Sequence, residues 1–319
     1  MNQKQRSELE AIAPDYAYSY HDRDTFANHS EAKALLEQAE VIIGNISPEK
    51  TGKLQNLRWM QLFSAGANGY TEKGGFPRQA VLTNATGAYG LAISEHMLGM
   101  LLMLQKKLHL YRDNQPQGLW ESKGSVTAVA ESKTLVIGLG DIGGDFARKM
   151  KALGSYTIGV KRHASVKPDY LDELHLGDAL DDLLPEADII ALSLPETDET
   201  RQMLDRRRIG LLKKSAYVLN VGRGSAIDTE ALSDALEQNK LAGAGLDVTD
   251  PEPLPASHRL WKLKNALITP HVSGGFHLKT TQKIITAITL ENMKRYVKGE
   301  PLINQVDFKT GYRKFDQDQ

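Results

Sequence analysis

Short apolar runs recur along this chain, separated by longer stretches with helical periodicity. Early in the chain, AEVIIGN (39–45), WMQLFSAG (59–66) and AVLTNATG (80–87) read as strands. The polar stretch EAKALLEQ (31–38), between turn signals, reads as a helix. From Ala92 to Tyr111 the pattern changes to one long helix, apolar nearly all round at its middle and so expected to be buried. It is read as the first crossing between two domains, and DNQPQGLWESKG (113–124) as a loop. A second alternating series follows. Its strands are TLVIGLG (134–140), YTIGVK (156–161), ADIIALSLP (187–195), AYVLNVG (216–222), AGLDV (244–248) and ALITP (266–270). DIGGDFARKMKALG and TEALSDALEQNK read as helices between them. After Gly275, HLKTTQKIITAITLENMKRYVKG reads as a helix leading back to the first domain, which PLINQVDFKTGYRKF completes. Such alternation implies α/β architecture with parallel sheets and helical crossovers. The expected domains are 1–98 with 286–319, and 99–285.

A length of 319 residues accommodates two ordinary domains, and 41% hydrophobic with 25% charged residues is typical of globular chains. Lys+Arg 39 against Asp+Glu 40 leaves a net charge of -1, so neither nucleic acid nor a membrane surface is an expected partner. The polar start, MNQKQRSELEAIAPDY, has no signal-peptide core, and LGMLLML (98–104) is too short to span a bilayer. Cysteine is absent, which excludes disulfides, thiolate metal sites and a cysteine nucleophile. No metal site is expected, and the expected setting is the cytoplasm.

Gly138-Leu139-Gly140-Asp141-Ile142-Gly143 follows a strand and opens a helix. The first glycine allows a tight turn, the second lets backbone approach a pyrophosphate, and the third lets helix pack on strand. The phosphate then meets the unpaired amides and positive dipole end of the helix. In an NAD site an acid lies roughly 20 residues further on, bonding the ribose 2′-hydroxyl. Here that strand ends Gly159-Val160-Lys161-Arg162-His163, with two cations and no acid. A 2′-phosphate would be matched by Lys161 and Arg162, so NADP is the expected cofactor, with NAD possible.

Arg223, Glu252 and His271 follow three separate apolar runs, in AYVLNVGRGS (216–225), GAGLDVTDPEP (243–253) and NALITPHVSGG (265–275). Ligands of open α/β sheets bind outside the carboxyl ends of the strands, where these three residues can converge. Hydride addition to a 2-oxoacid turns the carbonyl oxygen into an alkoxide that needs a proton and a positive field. His271 is the candidate acid, and Glu252 beside it favours imidazolium and fixes the ring. Arg223 has the fork geometry to hold the carboxylate and polarise the carbonyl. Asp247 ends its strand either as a ligand of the nicotinamide carboxamide or as a loop cap. Among the other histidines, His96 reads as a satisfied residue between the domains, and His277 could face the cleft. Ser64-Ala65-Gly66-Ala67-Asn68-Gly69 closes a strand with small residues that leave amides free for a carboxylate. Phe63, Tyr70 and Tyr89 are candidates to shape the substrate side.

These segments resemble the D-isomer-specific 2-hydroxyacid dehydrogenase family over almost the whole chain. LVIGLGDIGGDFA resembles its cofactor turn, and LSLPETDETRQML, with Leu194 and Pro195, the segment flanking the adenosine half of the cofactor. LNVGRGSAIDTEAL, GAGLDVTDPEPLP and ITPHVSGG resemble the segments that carry the catalytic Arg, Glu and His, here Arg223, Glu252 and His271. The resemblance gives Asp247 a nicotinamide contact, and LFSAGANGY implies backbone contacts to the substrate at Ala65, Gly66 and Ala67. It implies two doubly wound parallel-sheet domains, a Rossmann nucleotide domain inserted into a discontinuous flavodoxin-like substrate domain, and a homodimer. The tail NQVDFKTGY resembles the ending of the glyoxylate/hydroxypyruvate reductase branch, so glyoxylate and hydroxypyruvate are the candidate substrates. The alternative is a nicotinamide-sensing binding protein of the corepressor kind. The absence of a long extra tail or docking segment favours the enzyme.

Overall fold

The structure, a computed structural model, describes residues 1–21, 30–67, 69–72, 74–275, 278–309 and 311–314. The expectations placed on Asn68 and His277 lie outside these described residues. Helices α1 (Gln3–Ile12) and α2 (Ser30–Gln38) precede strands β1 (Val41–Ile43), β2 (Trp59–Gln61) and β3 (Val81–Thr83). Helices α3 (Gly90–Gln105) and α4 (Leu108–Asn114) follow. Next come β4 (Lys133–Ile137), α5 (Asp141–Ala152), β5 (Tyr156–Lys161), β6 (Glu173–Leu176) and β7 (Ile189–Leu192). The series continues with β8 (Tyr217–Asn220), α6 (Thr229–Glu237), β9 (Gly243–Leu246) and β10 (Ala266–Ile268). Helix α7 (Lys279–Lys298) and the pair β11 (Val306–Asp307) and β12 (Tyr312–Arg313) come last. Among the described residues no helix is long and apolar enough to cross a membrane.

Contacts divide the chain into Met1–Tyr89 with Phe276–Gln319, and Gly90–Gly275. The expected divisions after residues 98 and 285 fall inside α3 and α7, whereas these units part at or just ahead of each helix.

In the first unit β1, β2 and β3 form a parallel sheet in that order. Alternate residues of a strand face opposite sides. Met60 therefore joins Leu36, Ile42, Leu57 and Leu82 in one core, while Trp59 joins Leu9, Met293 and Leu302 in another. Gln61 shares the face of Trp59 and is fully buried. Its Oε1 accepts from Thr83 Oγ1 (2.8 Å) and from Asn292 Nδ2 (2.8 Å) on α7. Thr83 Oγ1 in turn accepts from Trp59 Nε1 (2.9 Å). Each polar group finds a partner, which is the condition for burying such a set at low cost.

In the second unit seven parallel strands run in the order β10-β9-β8-β7-β4-β5-β6. The order reverses between β4 and β7, the switch point at which ligands of doubly wound sheets bind. Strands β7, β8 and β9 are buried along their whole length, as both-face-covered parallel strands require. Gly245 lies under α3: a Cβ there would stand 3.0 Å from the Cβ of Met100. That close approach beds α3 on the sheet.

Three readings change. The helix expected from 92 to 111 is two helices, because Lys107 takes a left-handed conformation (φ 57°) between α3 and α4. The lysines at the break hold another segment: Lys106 Nζ donates to Thr127 O (2.6 Å) and Lys107 Nζ to Lys123 O (2.5 Å). Strand β10, read from an apolar run like those of the buried strands, is only half-buried because it is an edge strand. Strand β6, the opposite edge, was not expected at all, since the half-exposed Glu-Leu-His-Leu carries no apolar run.

Candidate active site

The three apolar runs end as neighbours. Asn220 pairs with Leu246 and Leu246 with Ile268, so β8, β9 and β10 finish in one row. Adjacent strands lie about 4.8 Å apart, which places the loops carrying Arg223, Glu252 and His271 side by side.

His271 Nδ1 stands 2.6 Å from Glu252 Oε1. A carboxylate only accepts, so Nδ1 carries the proton and Nε2 is the nitrogen left to face a substrate. Both side chains are close to half exposed, which leaves the ring reachable. The backbone of His271 is left-handed (φ 52°), a region that histidine enters more readily than most residues. Its N–H donates to Asp247 O (2.8 Å) and Thr269 O (3.0 Å).

Asp247 holds this turn. Its side chain is almost fully buried and accepts from Thr269 Oγ1 (2.6 Å), Val272 N (2.9 Å), Ser273 N (3.1 Å) and Ser273 Oγ. Two donors meet each oxygen, so the carboxylate's capacity is taken up by the segment that carries His271. The loop-cap reading thus has a geometry in the structure. His96 Nε2 lies 3.0 Å from Thr269 Oγ1 and 3.9 Å from Asp247 Oδ1. Both partners belong to the histidine's own unit, so His96 is satisfied there as a support of this turn.

Arg223 sits on a turn clamped by the last residue of β8. Asn220 Nδ2 donates to Arg223 O (2.9 Å), and Asn220 Oδ1 accepts from Gly222 N (3.1 Å). The half-buried guanidinium donates through Nη1 to Gly222 O (2.8 Å). A Cβ at Gly224 would fall 1.9 Å from Thr249 O, so this turn presses against the segment that leads to Glu252.

At the switch point, Gly138 has φ 95° and a Cβ there would stand 2.9 Å from Ser193 O and 3.0 Å from Leu194 Cδ2. A Cβ at Gly143 would lie 1.9 Å from Gly138 O, the close helix–strand packing expected of the third glycine. At Gly140 it would meet nothing within 4 Å, which is the open approach a pyrophosphate needs. The first amides of α5, at Asp141, Ile142 and Gly143, are the donors at that opening. The glycine cradle therefore fits a dinucleotide. Asp141 does more than its amide: its Oδ2 accepts from Gly90 N (2.8 Å) and caps α3. Leu194 and Pro195 run beside the cradle, with Pro195 O accepting from Thr200 Oγ1 (2.6 Å). At the end of β5, Lys161 Nζ bonds Ser165 Oγ (2.8 Å). Arg162 Nε faces Glu199 Oε2 (3.3 Å), a carboxylate the sequence reading did not anticipate.

In the first unit the segment after β2 is fixed through its carbonyls. Phe63 O accepts from Tyr89 OH (2.5 Å), Ala65 O from Asn84 Nδ2 (2.7 Å) and Gly66 O from Ser64 Oγ (2.7 Å). Asn45 accepts from Phe63 N (2.9 Å) and donates to Ser64 Oγ (2.9 Å). No acceptor for the amides of Ala65, Gly66 and Ala67 is found among the described residues, so they remain as donors for an anion. Burial pushes the Tyr89 phenol up, keeping it a neutral donor. Tyr70 OH is likewise turned to a carbonyl, Ile46 O (2.5 Å), which leaves Phe63 as the half-exposed aromatic of the three candidates. Asn45 and Asn84 were missed because a lone Asn near a strand end carries no periodic signal.

Residues 98–273 match the family model described as D-isomer specific 2-hydroxyacid dehydrogenase, NAD binding domain. The chain is similar to the crystal structure of a D-isomer specific 2-hydroxyacid dehydrogenase family protein from Aeromonas salmonicida subsp. salmonicida A449. The two share 32% identity, with 96% of each chain covered and a TM-score of 0.84. It is also similar to the D-isomer specific 2-hydroxyacid dehydrogenase from Xanthobacter autotrophicus Py2, solved with NADPH and MES. There the identity is 25%, over 98% of this chain and 96% of that one, with a TM-score of 0.79. The glyoxylate/hydroxypyruvate reductase B of Yersinia pestis is 28% identical over 298 residues, 90% of each chain.

Proposed function

This chain belongs to the D-isomer-specific 2-hydroxyacid dehydrogenase family of NAD(P)-dependent oxidoreductases, and from that premise we propose that it reduces small 2-oxoacids, with His271 as the proton donor. The observation that carries the reading is the 2.6 Å pair of His271 Nδ1 and Glu252, set at in-register strand ends. A bound nicotinamide would supply the hydride. His271 then delivers a proton from Nε2 to the carbonyl oxygen as charge develops there, while Glu252 holds the ring and stabilises its cationic form. Arg223 pairs with the carboxylate and polarises the carbonyl. In the first unit, the amides of Ala65, Gly66 and Ala67 are the proposed carboxylate contact. In the reverse direction neutral His271 takes the hydroxyl proton of a 2-hydroxy acid.

Glyoxylate and hydroxypyruvate are the proposed substrates, supported by the resemblance of the tail and by the Yersinia relative. NADPH is the proposed cofactor, with NADH as the weaker alternative. Lys161 supports this, since its ammonium faces a neutral hydroxyl and is therefore open to a 2′-phosphate. The Xanthobacter relative, solved with NADPH, points the same way. A second copy of the chain is the proposed partner, covering the exposed apolar residues Leu108, Leu119, Trp120 and Val126.

The test is a panel of 2-oxoacids assayed with NADPH and NADH, on the wild type and on Lys161→Asp. The reading expects the highest kcat/KM with a small 2-oxoacid and NADPH. It expects Lys161→Asp to move the NADPH/NADH ratio toward NADH by about tenfold, the equivalent of roughly 1.4 kcal/mol of charge pairing. Equal use of NADH by the wild type would remove the cofactor assignment. Absence of turnover on every 2-oxoacid would remove the activity itself.

A further inference from the structure

His96 takes no part in the reaction steps above, yet it heads a chain of hydrogen bonds that ends on the His271 turn. Its Nε2 lies 3.0 Å from Thr269 Oγ1, which lies 2.6 Å from Asp247 Oδ1. The direction of both bonds follows from what each group can carry. Asp247 accepts from the amides of Val272 (2.9 Å) and Ser273 (3.1 Å), so its oxygens act as acceptors. The one hydroxyl proton of Thr269 therefore goes to Asp247, and Thr269 Oγ1 accepts from the imidazole. The proton of a neutral His96 ring is thereby placed on Nε2.

The helix that carries His96 is fixed independently of this turn. At the start of α3, Gly90 N donates to Asp141 Oδ2 (2.8 Å) in the glycine turn. Ser94 Oγ lies 2.7 Å from Asp145 Oδ2 and accepts from Lys149 Nζ (2.9 Å), both on α5. Met100, four residues beyond His96 and on the same helix face, packs on β9 at Gly245. Helix α3 is therefore docked on the helix that opens the dinucleotide cradle and on the strand that ends at Asp247, and His96 reaches from it to the catalytic turn.

That turn needs support. The backbone of His271 is left-handed (φ 52°), a conformation that outside glycine persists only where its surroundings fix it. The carboxylate of Asp247 fixes it through the two amides that follow His271. Without the imidazole donor, Thr269 Oγ1 loses the bond that sets its rotor, and Asp247 Oδ1 loses a directed donor. A carboxylate that shifts carries residues 271–273 with it, and so displaces His271 Nε2. The His96 side chain is 25% exposed, so its replacement by an apolar residue empties no large part of the core.

We propose that His96 is a positioning residue for the proton transfer: through Thr269 and Asp247 it sets the place of the His271 imidazole. The assignment rests on His271 as the proton donor and adds a residue that acts only through others.

The test is a double-mutant cycle on the full chain with His96→Leu, Thr269→Val and the pair, each assayed for kcat and for the KM of the cofactor. Each single variant should lower kcat by roughly ten- to a hundredfold, the range for a displacement of up to about 1 Å at a reacting group, with the cofactor KM unchanged. The pair should fall no further than the worse single variant, since both changes break one chain of bonds. His96→Gln, which keeps a side-chain N–H donor, should restore most of the lost kcat. Where His96→Leu fails to fold, His96→Met takes its place, a flexible side chain without a donor. A second readout needs no turnover. The His271 ring signals in NMR spectra of the ligand-free protein, identified by their loss in His271→Ala, should shift the same way in His96→Leu and Thr269→Val. Losses that multiply in the pair, wild-type kcat in His96→Leu, no recovery with His96→Gln, or unmoved His271 signals would overturn the proposal. Shifted signals in a protein without turnover on any 2-oxoacid would support the coupling and remove only the reaction.

Discussion

At the residue scale, the arrangement rests on a few side chains whose partners are fixed by what each can donate or accept. Glu252 can only accept, which determines the proton on His271 Nδ1 and directs Nε2 outward. Asp247 accepts four bonds from residues 269–273. Asp247→Asn keeps the shape but turns an NH2 group toward donors, so at least one bond is lost and a buried donor is left unpaired. Such a donor costs about 1–3 kcal/mol. We expect a lower melting temperature and a reduced kcat, with the KM for NADPH unchanged. A raised cofactor KM with normal kcat would instead identify Asp247 as a nicotinamide ligand. That Arg223, Glu252 and His271 follow neighbouring strands was legible in the sequence because each member comes after an apolar run. The donors around Asp247 were not: Thr269 and Ser273 are common loop residues, and only the fold shows that they turn toward one carboxylate.

At the element scale, the strands that carry the site were legible wherever they are buried on both faces. The edge strand β6 was not, and neither was α1, whose polar sequence is started by a capping box between Asn2 and Gln5. The break at Lys107 has no Pro or Gly to announce it; long-range bonds from Lys106 and Lys107 decide it. A similar tether joins α6 to the turn before β10. Arg259 reaches Asp234 (2.6 Å), Glu230 (2.8 Å) and Glu237 (2.9 Å). Hydrogen bonds from Arg206 and Arg259 hold the Asp234 carboxyl below its ordinary range, and those from Arg259 and His258 do the same for Glu230. A lowered folded-state pKa stabilises above the unfolded value, roughly pH 4, and that contribution disappears as pH falls through the folded value. Arg259→Ala should therefore lower the melting temperature at neutral pH by about 1–2 °C, as expected of exposed pairs. The difference from wild type should shrink below about pH 4. Calorimetric scans from neutral to acid pH check this, and a difference that grows on acidification would contradict it.

At the scale of the whole molecule, the even charge and two-part organisation were legible from composition and alternation. The unit limits lie nearer the helix starts than the pattern suggested, because contacts rather than periodicity set them. Trp120 is 101% exposed, with Leu119 at 43% and Val126 at 51%, on a segment without helix or strand. These exposed apolar side chains are the proposed self-contact. Sedimentation should give twice the chain mass of 35.3 kDa, and Trp120→Ala should raise the dimer dissociation constant by at least about tenfold, in line with aromatic anchors at interfaces. A monomer at micromolar concentration would exclude that surface as a self-contact.

The central claim is that the imidazole delivered by β10 donates the proton. Its most direct measurement is kcat of His271→Ala with the best 2-oxoacid and cofactor, on protein whose circular dichroism and melting temperature match the wild type. Loss of turnover by about 10²–10⁴-fold, with cofactor binding retained, is the predicted result for a lost general acid. Wild-type turnover in that folded variant would contradict the assignment.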